Sequence, residues 1–234
     1  MNRDLLIVQA RMGSSRFPGK SLFELQGKPA LLHLLESLLQ AFDRSIIQIA
    51  TSTSVQDDKI AEFCQSHEFN CFRGDENNVA SRFLALVLKF RPRYFVRLNG
   101  DSPLLDFRLV RKALSLAHRK KPDLLSTKLD VPYPSGMNVE VIKASIFSRE
   151  YKSFSKPEDF EHVTPYFYRN PAKFKMLALK CPVADSQSYK FSFDSEDDYR
   201  RLKELLMVMR KPHYSYGFAK KCSLYKKLFL DRLE

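Results

Sequence analysis

Several groups of residues in this chain have types and spacing suited to handling a polyphosphate. The first is Gln9-Ala10-Arg11-Met12-Gly13-Ser14-Ser15-Arg16-Phe17-Pro18-Gly19-Lys20, which follows the apolar run Leu5-Leu6-Ile7-Val8. A buried strand that empties into glycines lets backbone N–H groups approach an anion, while Arg11, Arg16 and Lys20 supply positive charge. Gly19-Lys20-Ser21 matches the end of a G-x-x-x-x-G-K-[ST] phosphate loop, but five residues separate Gly13 from Gly19 instead of four. Gly27-Lys28-Pro29 also cuts off the long helix such a loop needs, so the pattern argues against a P-loop NTPase.

The second group is Asn99-Gly100-Asp101-Ser102-Pro103-Leu104, delivered by the strand-like Tyr94-Phe95-Val96-Arg97-Leu98. A carboxylate freed by a glycine at a strand end suits Mg²⁺ beside a triphosphate, although an aspartate before Ser-Pro is by itself often a helix cap. Asp194 is a further candidate. Ser195 and Asp198 read as a cap and its N3 partner, with Leu202, Leu205, Leu206 and Met209 on the buried face behind them; Asp194 precedes the cap and is not explained by it. Arg73-Gly74-Asp75 leaves a short strand at Cys71-Phe72.

The elements that must position these groups follow from periodicity. Leu31, Leu34, Leu35, Leu38, Leu39 and Phe42 mark a helix over 29–42, and Ile46 to Ala50 a second strand, together a βαβ unit. Asp57-Asp58 open a helix through Ile60, Phe63 and Cys64, the acidic pair suiting its N-terminus; Val79, Arg82, Phe83, Leu86 and Phe90 mark the next. A helix through Val110, Leu114 and Ala117, strands at 124–127 and 139–142, and a short alternating strand Phe191-Ser192-Phe193 complete the pattern. These predict a doubly wound, mostly parallel α/β sheet, with Arg11, Arg73, Asp101 and Asp194 converging at one edge.

The run Gln9 to Lys20, followed by Leu22, Gly27-Lys28-Pro29 and the Leu-rich helix, resembles the opening of the cytidylyltransferases that activate sugar acids. The resemblance is to the spore coat polysaccharide biosynthesis cytidylyltransferase-like branch, related to acylneuraminate and 3-deoxy-manno-octulosonate cytidylyltransferases, and it covers nearly the whole chain. Arg97 to Leu104 matches the family's R-x-x-G/A-D-x-P-L, and Glu161-His162-Val163-Thr164-Pro165-Tyr166 also matches. Tyr133 to Glu140 resembles Y-P-D-G-x-D-V-E with Ser135 and Asn138 in place of two acids, and Asn77 and Asn78 stand where the family commonly has two more.

The resemblance implies a nucleotide-diphospho-sugar transferase-like fold that transfers CMP from CTP to a sugar acid, releasing pyrophosphate, for surface polysaccharide or glycan biosynthesis. Arg11, Lys20 and Asp101 would be catalytic, and Mg²⁺ would sit on Asp101 and Asp194. Nucleotide contacts would come from Gln9, Ala10, Arg11, Gly13, Ser14 and Lys20 in the first loop, and from Arg73, Asn99 and Gly100. Glu140 and His162 would touch the acceptor, against a bland reading of His162 as a helix-face residue bonded to backbone. Residues 1–234 would form a single domain, with 128–190 an aromatic-rich arm for acceptor binding and homodimer formation.

Composition sets outer bounds. The formal charge of +12 points to an anionic partner, and 44% hydrophobic residues suffice for a core. No nucleic-acid module signature is present, no run approaches the ~18 apolar residues of a membrane span, and Met-Asn-Arg-Asp leads into a strand without a signal-peptide pattern. A cytoplasmic protein is expected. Cys64, Cys71, Cys181 and Cys222 lack metal or disulfide spacing and read as reduced thiols. Phe218, Cys222, Tyr225, Phe229 and Leu233 recur among Lys220, Lys221, Lys226 and Lys227, a stripe narrow enough to favour a docked helix over one lying on a membrane. A nucleotide-sugar glycosyltransferase is the enzyme rival, but Asn99-Gly100-Asp101 lacks its D-x-D; an idle nucleotide-binding homologue is the other, opposed by Arg11, Lys20, Asp101 and Asp194.

Overall fold

The structure, a computed structural model, describes residues 4–13 and 17–231. Ser14 and Arg16 of the first loop, and Leu233 of the terminal stripe, lie outside the described residues. Seven strands form one sheet: β1 (Leu5–Gln9), β2 (Ile47–Ser52), β3 (Asn70–Gly74), β4 (Tyr94–Asn99), β5 (Leu124–Ser126), β6 (Glu140–Lys143) and β7 (Met176–Ala178). Their order is β3-β2-β1-β4-β6-β5-β7. The β3-β2-β1-β4 half is parallel; β6 runs antiparallel to both β4 and β5, and β7 is parallel to β5.

Strand alternation builds two cores, one on each face. Leu6 and Val8 of β1 pack with α1 (Ala30–Leu38), α2 (Asp58–Ser66), α4 (Phe107–Lys120), α8 (Glu196–Met207) and α9 (Phe218–Phe229). Leu5 and Ile7 pack on the other face with α3 (Val79–Phe90), α5 (Ala144–Glu150) and α7 (Pro165–Arg169). Because the side chains from Leu5 to Val8 meet apolar layers on both faces, this part of the strand reads as a continuous hydrophobic run, as expected of a doubly covered parallel strand. Ser195 caps α8 as the sequence marks, accepting from Asp198 N at 3.2 Å, and Asn78 caps α3, accepting from Ser81 N at 2.9 Å.

Three expectations change. The first helix stops at Leu38 and continues as turns rather than reaching Phe42. Phe191–Phe193 is not a strand: next to it a single bridge pairs Lys190 with Ser135, and the Phe191 N–H donates to the Ser135 carbonyl at 2.7 Å. Gly136 makes that approach possible, since its φ is +86° and a Cβ there would sit 2.2 Å from the Phe191 carbonyl carbon. Segment 128–190 does not stand apart as an arm. It supplies β6 and β7 to the sheet, with α6 (Pro157–His162) beside α7, and its aromatics Phe147, Phe154, Phe167 and Phe174 are consumed in the chain's own core.

The C-terminal stripe is a docking face, as expected: Phe218, Cys222 and Tyr225 are buried. Lys221, however, does not belong to the solvated lysines around it. It is fully buried and donates to the Leu104 carbonyl at 2.7 Å; burial pushes its pKa down to about 8. No helix among the described residues is long and apolar enough to cross a membrane.

Tyr225 lies 5.6 Å from the Tyr189 ring, 5.5 Å from Phe191 and 4.9 Å from Phe229. Tyr225→Ala is expected to cost about 3–5 kcal/mol, the range for emptying a buried aromatic site. Denaturant unfolding measures this; wild-type stability in the variant would mean that α9 is not docked in solution.

Candidate active site

The carboxyl ends of β1 and β4 lie side by side, with Val8 opposite Leu98 and Gln9 opposite Asn99. The Gly100 N–H donates to the Gln9 carbonyl at 2.8 Å, which ties the loop carrying Asp101 to the start of the loop carrying Arg11. Between them opens a cavity of about 310 Å³, lined by Gln9, Ala10, Arg11, Lys20, Asn99, Gly100, Asp101 and Asp194, and across the opening by Ser135, Asn138, Glu161 and His162. Substrate pockets occur at this kind of switch in strand order.

At one end of the cavity the Lys20 ammonium joins two carboxylates. It pairs closely with Asp101 and with Asp194 at 2.8 Å. Burial pushes the Lys20 pKa down, but the Asp101 and Asp194 charges more than reverse this and hold the amine protonated. Two acids separated by 93 positions in sequence are thereby brought to one cation. Among the described residues no group of three or more His, Cys, Asp or Glu side chains converges, so a metal here would have two carboxylates and complete its shell with water and phosphate oxygens. That donor set fits Mg²⁺, which keeps several waters and takes one or two carboxylates.

The floor is a buried charge pair. Arg97 on β4 stands opposite Glu140 on β6, its guanidinium 2.6 Å from the Glu140 carboxylate, and its Nε donates to Gln9 Oε1 at 3.0 Å. Glu140 also accepts from Thr164 Oγ1 at 3.0 Å and from the Tyr168 hydroxyl at 2.6 Å. Burial pushes its pKa up, but Arg97, Lys128 and the Tyr168 hydroxyl outweigh that and leave it at about 2. Glu140 thus differs from the expectation of an acceptor contact. It does not line the cavity; its carboxylate is turned into this network, and Arg97 faces the cavity in its stead.

Arg73 is also placed differently. Its Nε donates to the Ser52 carbonyl at 2.9 Å, its terminal nitrogen to the Ser54 carbonyl at 3.0 Å, and it pairs with Asp58 at 2.6 Å. These partners occupy the guanidinium outside the cavity, where it fixes the β2 end. Gly13 is not among the lining residues either; it sits against the Gln56 side chain. Arg11 does reach the cavity and pairs with Glu161 at 3.2 Å, both about half exposed, an arrangement worth at most ~1 kcal/mol.

Sequence reasoning missed three residues. Arg82 and Arg97 line the cavity. A cation on an apolar helix stripe, as Arg82 is between Val79, Phe83 and Leu86, was the available signal for the first. Asp57, read only as a helix opener, is buried and accepts from Met12 N at 2.6 Å and Ser52 N at 3.1 Å, which anchors the first loop to the end of β2.

Glu140→Gln leaves the Arg97 charge buried without its partner and is expected to cost about 3–5 kcal/mol. Because the folded pKa of Glu140 lies below the unfolded one, its contribution is full above about pH 4.5 and disappears as pH falls towards about 2. Stability against pH for both proteins tests this: the difference should be largest near neutrality and shrink in acid, and a pH-independent difference would contradict it.

A cytidylyltransferase family model matches residues 5–227. The spore coat polysaccharide biosynthesis protein SpsF of Bacillus subtilis is 32% identical, over 88% of this chain and 87% of its own. An uncharacterized protein of Methanocaldococcus jannaschii is also 32% identical, over 85% of this chain and 81% of its own. A 3-deoxy-manno-octulosonate cytidylyltransferase of Bartonella tribocorum is 27% identical, over 75% and 78%. Among solved structures, a cytidylyltransferase from Leptospira borgpetersenii superposes with a TM-score of 0.90 at 25% identity, covering 97% of this chain and 95% of that one. A family match over residues 5–227 and relatives 32% identical over most of both chains show that the chain belongs to the cytidylyltransferase family.

Proposed function

We propose that this enzyme transfers the cytidylyl group of CTP to a sugar acid, releasing pyrophosphate, in the cytoplasmic synthesis of a surface polysaccharide or glycan. The observation that carries the reading is the Lys20–Asp101–Asp194 cluster at the mouth of the β1–β4 switch. The names of SpsF and of the octulosonate cytidylyltransferase support the acceptor class.

In this reading the acceptor hydroxyl attacks the α-phosphorus in line, and the bond to the pyrophosphate oxygen breaks. Such transfers depend on positioning and charge neutralisation rather than on a covalent nucleophile. Asp101 and Asp194 would hold Mg²⁺, which neutralises charge on the phosphates. Lys20 and Arg11 offer further cations along the same wall, and Gln9, fixed by Arg97, lines the floor. His162, exposed on the opposite rim beside Ser135 and Asn138, faces the acceptor. With Ser135 and Asn138 neutral where the family pattern has acids, an acidic acceptor meets less repulsion on that rim.

Asp101→Asn and Asp194→Asn are each expected to lower kcat on the order of 10² or more, as when preorganised charge stabilisation is removed, while CTP affinity falls far less. Pyrophosphate release across a Mg²⁺ titration, with CTP binding measured in parallel, checks both variants; near-wild-type turnover in either would show that the active site has been placed wrongly. The same family reading carries a homodimer. Light scattering should then give about twice the chain mass, and a monomer would remove this part of the proposal.

A further inference from the structure

Four cations face the cavity among the described residues: Arg11, Lys20, Arg82 and Arg97. Three have carboxylate partners, namely Glu161 for Arg11, Asp101 and Asp194 for Lys20, and Glu140 for Arg97. Arg82 has none within 4.0 Å among the described residues. Its Nε is buried with no hydrogen-bond partner, and one terminal nitrogen reaches only the Ala50 carbonyl, at 3.5 Å.

The residue is 2% exposed, and what it does expose faces the cavity. Burial pushes its pKa down; the Asp57 charge offsets part of this, Arg11 adds repulsion, and Asp75 and Glu76 contribute least. Asp57 is already committed to Met12 and Ser52. An isolated buried charge is destabilising, and buried charges in folded proteins are ordinarily paired. The side chain is also held in its path. It crosses Gly74, where an added Cβ would lie 2.8 Å from Arg82 Cγ, so the backbone leaves room for this stem and little else.

We propose that Arg82 is a phosphate-binding residue, whose guanidinium takes an oxyanion of the bound nucleotide between itself and Arg11. The inference rests on the CTP-dependent reading above and adds a site residue to it. One phosphate, whose several oxygens accept from both guanidinium groups, would offset their mutual repulsion. The location favours the nucleotide over the acceptor, because Arg11 opens the glycine-containing loop and Arg82 lies on its β2–β3 side.

Calorimetric binding of CTP, CMP and cytidine to the full chain tests this, with wild type, Arg82→Lys and Arg82→Met, alongside thermal unfolding without ligand. Arg82→Met is expected to weaken CTP binding on the order of 10- to 100-fold, the range for a lost charge-assisted hydrogen bond, and to leave cytidine binding unchanged. Arg82→Lys should retain part of the affinity. Ligand-free Arg82→Met should melt no lower than wild type, since an uncompensated charge is gone. Wild-type CTP affinity in Arg82→Met, an equal loss for cytidine, or a marked drop in ligand-free melting temperature would each overturn the proposal. If CTP affinity falls as expected while no sugar acid supports turnover in the wild type, the acceptor reading fails and this one stands.

Discussion

The Arg97–Glu140 pair is the interaction on which the two halves of the molecule depend. It sits where the sheet changes direction, between a strand of the parallel half and the antiparallel strand beside it. Through Thr164 and Tyr168 it grips the segment around α7, and through Gln9 it reaches the end of β1. A buried ion pair is costly to desolvate and is tolerated when further hydrogen bonds satisfy it, which Glu140 achieves by accepting from Thr164 and Tyr168 as well as from Arg97. The pair therefore fixes the register of β6 against β4 while setting the charge of the cavity floor.

Above that floor, charge is arranged unevenly. Lys20 is neutralised twice over by Asp101 and Asp194, whereas Arg11 leans on a solvent-exposed glutamate and Arg82 on none within ion-pair reach among the described residues. The paired carboxylates suit a cation, and the under-compensated guanidinium groups suit an anion. A metal–nucleotide complex carries both kinds of charge.

Much of this was legible locally. The run Leu5–Val8 followed by glycines and cations announces a covered strand and its loop, and Asp101 and Asp194 stood out because capping did not account for Asp194 and a glycine freed Asp101. The failures share a cause: sequence shows a charge but not what faces it. Arg73 looked like a site residue until two carbonyls and Asp58 took its nitrogens. Glu140 looked like an acceptor contact because its cross-strand neighbour is 43 residues away. Arg82 passed as a helix residue, although it shares a face with Phe83 and Leu86. Phe191–Phe193 alternates like a strand, but the backbone it meets at Gly136 belongs to a turn and offers only one bridge.

The contact between Lys20 and Asp194 spans 174 positions, and that between Lys221 and Leu104 spans 117. Synthesis is vectorial, at roughly 5–20 residues per second, and such distant closures come last. A nascent chain that has just released β4 already carries Lys20 and Asp101, yet Lys20 then has one of its two carboxylates. Asp194 lies 93 positions beyond Asp101, and Lys221, which steadies the loop around Leu104, further still. The charge balance at this sheet edge is therefore settled late in synthesis, and a ribosome-bound fragment can own the loop without the cluster that closes on it.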